Sequence, residues 1–438
     1  MRKVKFRDLF EQYRIQHIVQ DDIDYGQITI SKNGYIKFRT TKNGKTIGRK
    51  RQFVIDLEQY PNTLLFTRQG VAEGAIAFAP KEVNGCITTE NMPMFSLKNG
   101  IDRKFVELLL KSEQYTHEVK KLIPTGSAQK SIHERDLMQI ILTVPSEEEQ
   151  KKLSCLIENR LNNIDMLNSE ISTQQTLLKK LRQSILQEAI EGKLTKEWRE
   201  QNPDVESASV LLEKIKQEKE QLIKEKKIKK QKPLPPIKEE EIPFDIPDGW
   251  VWCRLGDVCT YGSSPKIEPR QINNAMWILD LEDIEKESSK LLQKIRGDKR
   301  KTSSTKSKFY KGNVLYSKLR PYLDKVIVAD EDGVCTTEIL PLYFYGGINS
   351  YYSMYTLKRK DFLHYVNNIT KGVKMPRLST KDGQKSLYPL PPLQEQKEIV
   401  KKIENLFKIC DELETQIEAS KKSSEQLIEA VLKEAFKE

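Results

Sequence analysis

Two long stretches of this chain place apolar residues at every seventh position. Ile157, Ile164, Ile171, Leu178 and Ile185 recur at that spacing, with Leu153, Leu167 and Leu181 on a companion line. The pattern returns later, with Ile403, Cys410, Ile417 and Val431 on one line and Ile399, Leu406, Leu413 and Leu427 on the other. Heptad spacing predicts long helices that each bury a narrow stripe against a partner helix. Arg160 and Gln174 in the first stretch, and Ser420 and Ser424 in the second, are polar seam positions, which specify register at some cost in stability. The stretches are also copies of one another. At an offset of 246 positions, Pro145, Glu149, Gln150, Ile157, Asp165, Ile171, Leu186 and Ala189 fall without a gap on Pro391, Glu395, Gln396, Ile403, Asp411, Ile417, Leu432 and Ala435. The simplest expectation is that the two helices pair with each other as an antiparallel coiled coil.

The remainder alternates on a shorter period. Gln27–Ser31 and Tyr35–Arg39 read as strands around the turn Lys32-Asn33-Gly34, and Lys42–Lys45 as a second turn. Leu64–Thr67 and Gly74–Ala79 read as further strands, and Arg103 to Lys121 as a helix. After the break Gly192–Trp198, a helix capped near Ser207 or Ser209 carries Leu211, Leu212, Ile215, Leu222 and Ile223, then dissolves into a Lys run and five prolines up to Pro247. Residues 248–390 repeat the outline of the first globule: Leu64-Leu-Phe-Thr-Arg68 is matched by Val314-Leu-Tyr-Ser-Lys318, and Gly85-Cys-Ile-Thr-Thr-Glu90 by Gly333-Val-Cys-Thr-Thr-Glu338. The expected organisation is therefore α+β, with two similar strand-rich domains, 1–144 and 248–390, each followed by a long helix. The helical regions span 145–224 and 391–438, with an interdomain linker over 225–247.

Charge then narrows the function. The chain has 74 basic against 63 acidic residues, net +11, which favours polyanionic partners. Between Asp24 and Asp56 there is no acid, and the interval carries eight cations on hairpins beside Tyr35, Phe38 and Phe53. Between Ser288 and Leu323 the only acid is Asp298, against eleven cations. A run of this kind also suits a solvated face, but interleaved aromatics on hairpins favour nucleic acid. Catalytic signatures are missing: there is no phosphate loop, dinucleotide fingerprint or His-Glu-x-x-His, and the four histidines are dispersed. Leu234-Pro-Pro-Ile and Leu390-Pro-Pro-Leu share only their prolines with the motif of adenine methyltransferases. The six cysteines suggest neither zinc nor disulfides, and no apolar run reaches membrane-spanning length, so a cytoplasmic location is expected. What remains is binding, with a coiled-coil scaffold of incidental basic surface as the alternative.

Two unlike basic globules on paired rods describe a ruler for a split DNA site. A helix of 47 residues, 145–191, spans roughly 70 Å. That caps the separation at about 20 base pairs, and globule width shortens it to about one helical turn.

Several motifs resemble a known family. Pro391-Pro-Leu-Gln-Glu-Gln396, its counterpart Pro145-Ser-Glu-Glu-Glu-Gln150, and Ile246-Pro-Asp-Gly-Trp-Val-Trp-Cys-Arg-Leu-Gly-Asp257 are similar to the specificity subunit of type I restriction-modification enzymes. So are Leu315-Tyr-Ser-Lys-Leu-Arg-Pro-Tyr-Leu323, Thr125-Gly-Ser-Ala-Gln-Lys130 and Lys374-Met-Pro-Arg-Leu378. The resemblance implies two target-recognition domains joined by antiparallel helices and a subunit without catalysis of its own. It implies double-stranded DNA, two S-adenosylmethionine-dependent modification subunits, and restriction subunits using ATP and Mg as partners. This chain itself would bind no cofactor and no metal. Gly126, Gly372 and Pro376 match the family as turn residues. The first globule lacks the Pro-x-Gly-Trp opening found at Pro247 to Trp250, which leaves its first strand open. Base contacts do not carry over, so the cations expected at DNA come mainly from the basic runs, with Arg68, Lys374 and Arg377 from outside them. The full set is Arg39, Lys42, Lys45, Arg49 and Arg68, then Arg300, Lys301, Lys318, Arg320, Lys374 and Arg377.

Overall fold

The computed structural model describes residues 2–122, 131–370 and 374–435; Gly126, the Thr125–Lys130 motif and Gly372 lie outside them. The chain forms two compact units, Met1–Thr173 with Glu418–Glu438, and Gln174–Ile417.

In the first unit, the opening strand Arg2–Lys5 pairs antiparallel with Ile141–Val144. A four-stranded sheet follows in the order Phe10–Tyr13, Met94–Leu97, Thr63–Phe66, Ile76–Phe78. A five-stranded sheet runs Gln16–Ile18, Arg51–Val54, Ile87–Thr88, Asp24–Ile30, Ile36–Asn43, with a parallel pairing only between Asp24–Ile30 and Ile87–Thr88. Apolar residues of the four-stranded sheet, Leu64, Phe66, Ile76, Phe78 and Phe95, form the main core together with Phe105, Leu109 and Tyr115 from helices.

The second unit has the same plan. Val251–Arg254 pairs with Leu387–Leu390. Ile339–Leu342, Val314–Ser317 and Val326–Val328 make the middle sheet. The third sheet runs Lys266–Ile267, Lys306–Phe309, Gly333–Cys335, Trp277–Leu279, Ile295–Arg296, again with one parallel pair, Trp277–Leu279 with Gly333–Cys335. The first unit thus has the opening strand that its sequence left open. Lys5 and Arg254 even occupy the same corner, each main-chain N–H bonded to the Asp three residues on, Asp8 at 2.8 Å and Asp257 at 3.3 Å.

The segment 103–121, expected as one helix, is two: Arg103–Leu109 and Glu113–Lys121. Ser112 interrupts it because its hydroxyl caps the second helix, accepting from Tyr115 N. The same pair of helices recurs as Ser350–Leu357 and Lys360–Ile369.

The long helices are Glu147–Ile190 and Leu393–Ala435. In both, the duplicated glutamine fixes the start. Gln150 donates to Pro145 O (3.0 Å) and accepts from Asp102 N (2.9 Å), while Gln396 donates to Pro391 O (2.9 Å) and accepts from Asn349 N (2.8 Å). Asp102 and Asn349 cap the neighbouring helices, so one buried amide ties two helix ends together. Within the first unit Arg160 meets Glu434 (3.0 Å) and Asn168 meets Ser424 (2.7 Å). Within the second, Arg182 meets Glu414 (3.1 Å) and the Leu194 carbonyl takes Lys402 (2.8 Å). As one number rises the other falls, so the helices run antiparallel in each unit.

The heptad line is buried as expected: Ile157, Ile164, Ile171, Leu178 and Ile185 on one helix, Ile403, Cys410, Ile417 and Val431 on the other. The companion line is buried only near the helix starts: Ile399 is fully buried and Leu153 and Leu406 are half-buried, whereas Leu167, Leu181, Leu413 and Leu427 are 39–47% exposed. The partner instead covers the positions four after each heptad residue, Leu161, Asn168, Gln175, Arg182 and Ala189, all buried or half-buried. Hydrophobicity favours the leucine line, but this side of the helix satisfies its polar groups. Ser424 donates to Asn168, and the Arg182 guanidinium bonds Asp411 and Glu414 and lies 5.3 Å from the Phe407 ring centre.

Residues 225–247, expected as a linker between domains, fall inside the second unit as a largely exposed strap fastened at a few points. Arg254, 4% exposed, donates to the carbonyls of Pro235 and Pro236 and to both oxygens of Glu241. Phe244 meets Trp252 edge-on at 5.0 Å. The preceding helix, Ala208–Lys224, starts after Ser207 and stops well before the first proline, Pro233, where Lys226 turns the chain at φ 58° and Lys227 N donates to Leu222 O (2.9 Å). Composition could not reveal the buried arginine that collects the strap's unpaired carbonyls.

Candidate nucleic-acid interface

In the first unit the strand Ile36–Asn43 lies at the sheet edge, and its residues from Lys37 to Lys42 are all exposed. The neighbouring strand Asp24–Ile30 sets this geometry, because Ile28 and Ile30 point into the core with Ile36 while the rest of the hairpin extends past it. Arg39 and Lys42 therefore stand on an open two-stranded ribbon with Tyr35 (61% exposed) and Phe38 (50%). A ribbon of this form suits entry into a DNA groove. Lys45 and Arg49 are also exposed, Lys45 beside Asp22 (3.6 Å) and Arg49 beside Glu90 (3.1 Å).

Arg68 is different. Its guanidinium makes two parallel bonds to Glu134, 2.9 and 2.8 Å, and both side chains are largely buried. Burial would raise the Glu134 carboxyl, but the Arg68 bonds outweigh it and hold the group below its usual range. Arg68 is thus a structural ion pair and not an available DNA contact.

Arg300 is corrected for the same reason. It is bonded to Asp283 through both oxygens and to Glu282 (3.2 Å), with the Asp283 side chain wholly buried. Burial pushes Asp283 up, but Arg300, the Asp280 N–H and Gln293 together hold it below the usual carboxylate range. The acids come from Asp280-Leu-Glu-Asp283, outside the basic run, so charge counted along the sequence misses them. Lys301, the next residue, is exposed.

The other four cations converge. Leu319 bridges Arg377, Arg320 N donates to Pro376 O (2.8 Å), and Leu378 N donates to Lys318 O (2.9 Å). Two segments more than fifty residues apart thus bring Lys318, Arg320, Lys374 and Arg377 close together, with Tyr322 (50% exposed) and Met375 (51%) on the same segments. Arg377 Nε is held by Glu338 at 3.1 Å. Sequence reasoning passed over Tyr322, Met375 and both glutamates. The signal for the glutamates was present in the repeated Thr-Thr-Glu, since Glu90 and Glu338 each hold a candidate arginine. Among the described residues there is no group of three or more His, Cys, Asp or Glu that could hold a metal, and no helix is long and apolar enough to cross a membrane.

Comparison with known proteins follows the same line. Residues 247–420 match the family of type I restriction modification DNA specificity domains. The chain is 28% identical over 323 residues to the type I restriction enzyme EcoDI specificity subunit of Escherichia coli, covering 73% of this chain and 67% of that protein. It is 31% identical over 276 residues to the EcoAI specificity subunit of Escherichia coli, covering 59% of this chain and 45% of that protein. A solved chain from work on complex assembly and conformational transition of the type I R-M system superposes with a TM-score of 0.64 at 18% identity, covering 100% of this chain and 97% of the other. The HsdS subunit from Thermoanaerobacter tengcongensis gives 0.51 at 18% identity, covering 99% and 96%. The fold these share is a tandem of two strand-rich domains with long helices. The chain is thus similar to the specificity subunits of type I restriction enzymes, and its residues 247–420 match their DNA specificity domain.

Proposed function

We propose that the chain reads a bipartite, asymmetric duplex with its two strand-rich domains and directs adenine-methylating and restriction subunits to that site, without catalysis of its own. The observation that carries this reading is one topology built twice with different edges. One copy offers a ribbon of seven- and eight-residue strands, Asp24–Ile30 and Ile36–Asn43. The other shortens that hairpin to Trp277–Leu279 and Ile295–Arg296 and offers instead the paired segments around Arg320 and Arg377. A shared frame gives both domains one way of approaching a duplex, and unlike edges give each its own base contacts. S-adenosylmethionine, ATP and Mg would all be held by the partners. The test is binding of the chain, assembled with its methylating partner, to duplexes at rising salt. One split sequence should bind by orders of magnitude better than scrambled DNA, with affinity falling steeply as salt rises. Equal affinity for every sequence would favour a scaffold whose basic surface is incidental.

A further inference from the structure

Five residues other than glycine have positive φ among the described residues, and four of them sit together: Glu287 (63°), Ser289 (59°), Arg320 (49°) and Asp324 (49°). They lie on two loops of the second unit. The first loop crosses to the second through Glu287 N, which donates to Leu323 O (3.0 Å), and through Ser289 Oγ, which donates to Asp324 O (2.9 Å). Between the loops stands Lys358, 9% exposed, at the end of helix Ser350–Leu357. Its ammonium donates to Glu287 O (2.8 Å), Ser289 Oγ (2.7 Å) and Asp324 Oδ2 (2.7 Å).

The first unit makes the same turn without this device. Its short helix Val71–Glu73 corresponds to Pro321–Leu323, and the flanking residues are Gly70 and Gly74, the latter at φ 94°. Glycine adopts that conformation freely. Lys111, just past the corresponding helix Arg103–Leu109, is exposed. The second unit therefore replaces a relaxed glycine turn by a strained one and adds a buried ion pair to hold it. Burial pushes the Asp324 carboxyl up to about 6 and the Lys358 ammonium down, each only partly offset by the other, so the pair is an expensive way to close a turn. Strain kept at such expense belongs where geometry matters, and this turn carries Arg320 and Tyr322 beside Lys374 and Arg377.

We infer that Lys358 is a positioning residue: its latch on Asp324, Ser289 and Glu287 holds the strained turn in the shape that presents Arg320 and Tyr322 to one half of the DNA target. The inference rests on the DNA-reading function above. It is tested with the full chain co-expressed with its methylating partner, by mapping methylated adenines in genomic DNA. Lys358→Met should relax base discrimination in one half-site by about ten-fold or more at one or more positions, while the other half-site keeps its sequence. The double variant Lys358→Met with Asp324→Gly leaves no unpaired charge and restores a glycine at the strained position, so it guards against simple loss of folding, and it should relax the same half-site. An unchanged half-site in the folded double variant overturns the latch. Equal loosening of both halves does so as well. A wild-type map with no split sequence would instead remove the reading on which the latch depends.

Discussion

Arg300 and Arg377 are both cations that the sequence offers to DNA, yet one is internal and the other faces solvent. Arg300 is 13% exposed and clamped by Asp283, whereas Arg377 is 49% exposed and only steadied by Glu338. Replacing Asp283 by Asn should therefore destabilise the second unit by about 2 kcal/mol, because it removes the buried carboxylate that takes bonds from Arg300 on both oxygens and leaves the guanidinium only its weaker partners Asp280 and Glu282. The effect has a pH signature. The folded-state carboxyl is lowered from its usual 3.8, so its contribution is present above that value and is lost as pH falls through the lower folded one. Urea unfolding should show the gap between wild type and Asp283→Asn narrowing only below about pH 4; a constant gap would mean that the carboxylate's charge is irrelevant. Exposed cations should respond in another currency. Arg39→Ala and Lys42→Ala should each reduce the slope of log affinity against log salt by about one, with stability unchanged. At this scale the sequence reveals which residues are cationic, and the tertiary acids that neutralise some of them stay hidden because they arrive from distant segments.

Elements were more legible than residues. The duplicated heptads announce two long helices, and the buried line is the one read from the sequence. The error fell on the companion line, where leucine drew attention away from Asn168 and Arg182, whose bonds across the pair hydrophobicity cannot register. This makes a sharp contrast. Ile164→Ala should cost about 3 kcal/mol, whereas Leu167→Ala, three residues on and 43% exposed, should stay within about 0.5 kcal/mol. Thermal unfolding of both variants checks it, and equal losses would restore the leucine seam. The strap inside the second unit carries the same lesson, since its prolines were visible and the buried Arg254 that binds their carbonyls was not.

For the whole molecule, the tandem plan was readable because the repeat survives in sequence along the helices. Inside the globules, identity has faded while strand order, the single parallel pairing and the opening strand have been kept. The edges differ most, as expected if each copy answers to a different stretch of DNA. If the helices set the spacing, adding seven residues to each long helix should lengthen the gap between half-sites by about three base pairs, at ~1.5 Å per residue and ~3.4 Å per pair. The most direct test of the account is a genome-wide map of methylated adenines in cells with and without this chain. The account predicts methylation that depends on the chain and falls on two unlike half-sites separated by a fixed, unread gap. A continuous or palindromic target, or a map unchanged by removing the chain, would contradict it.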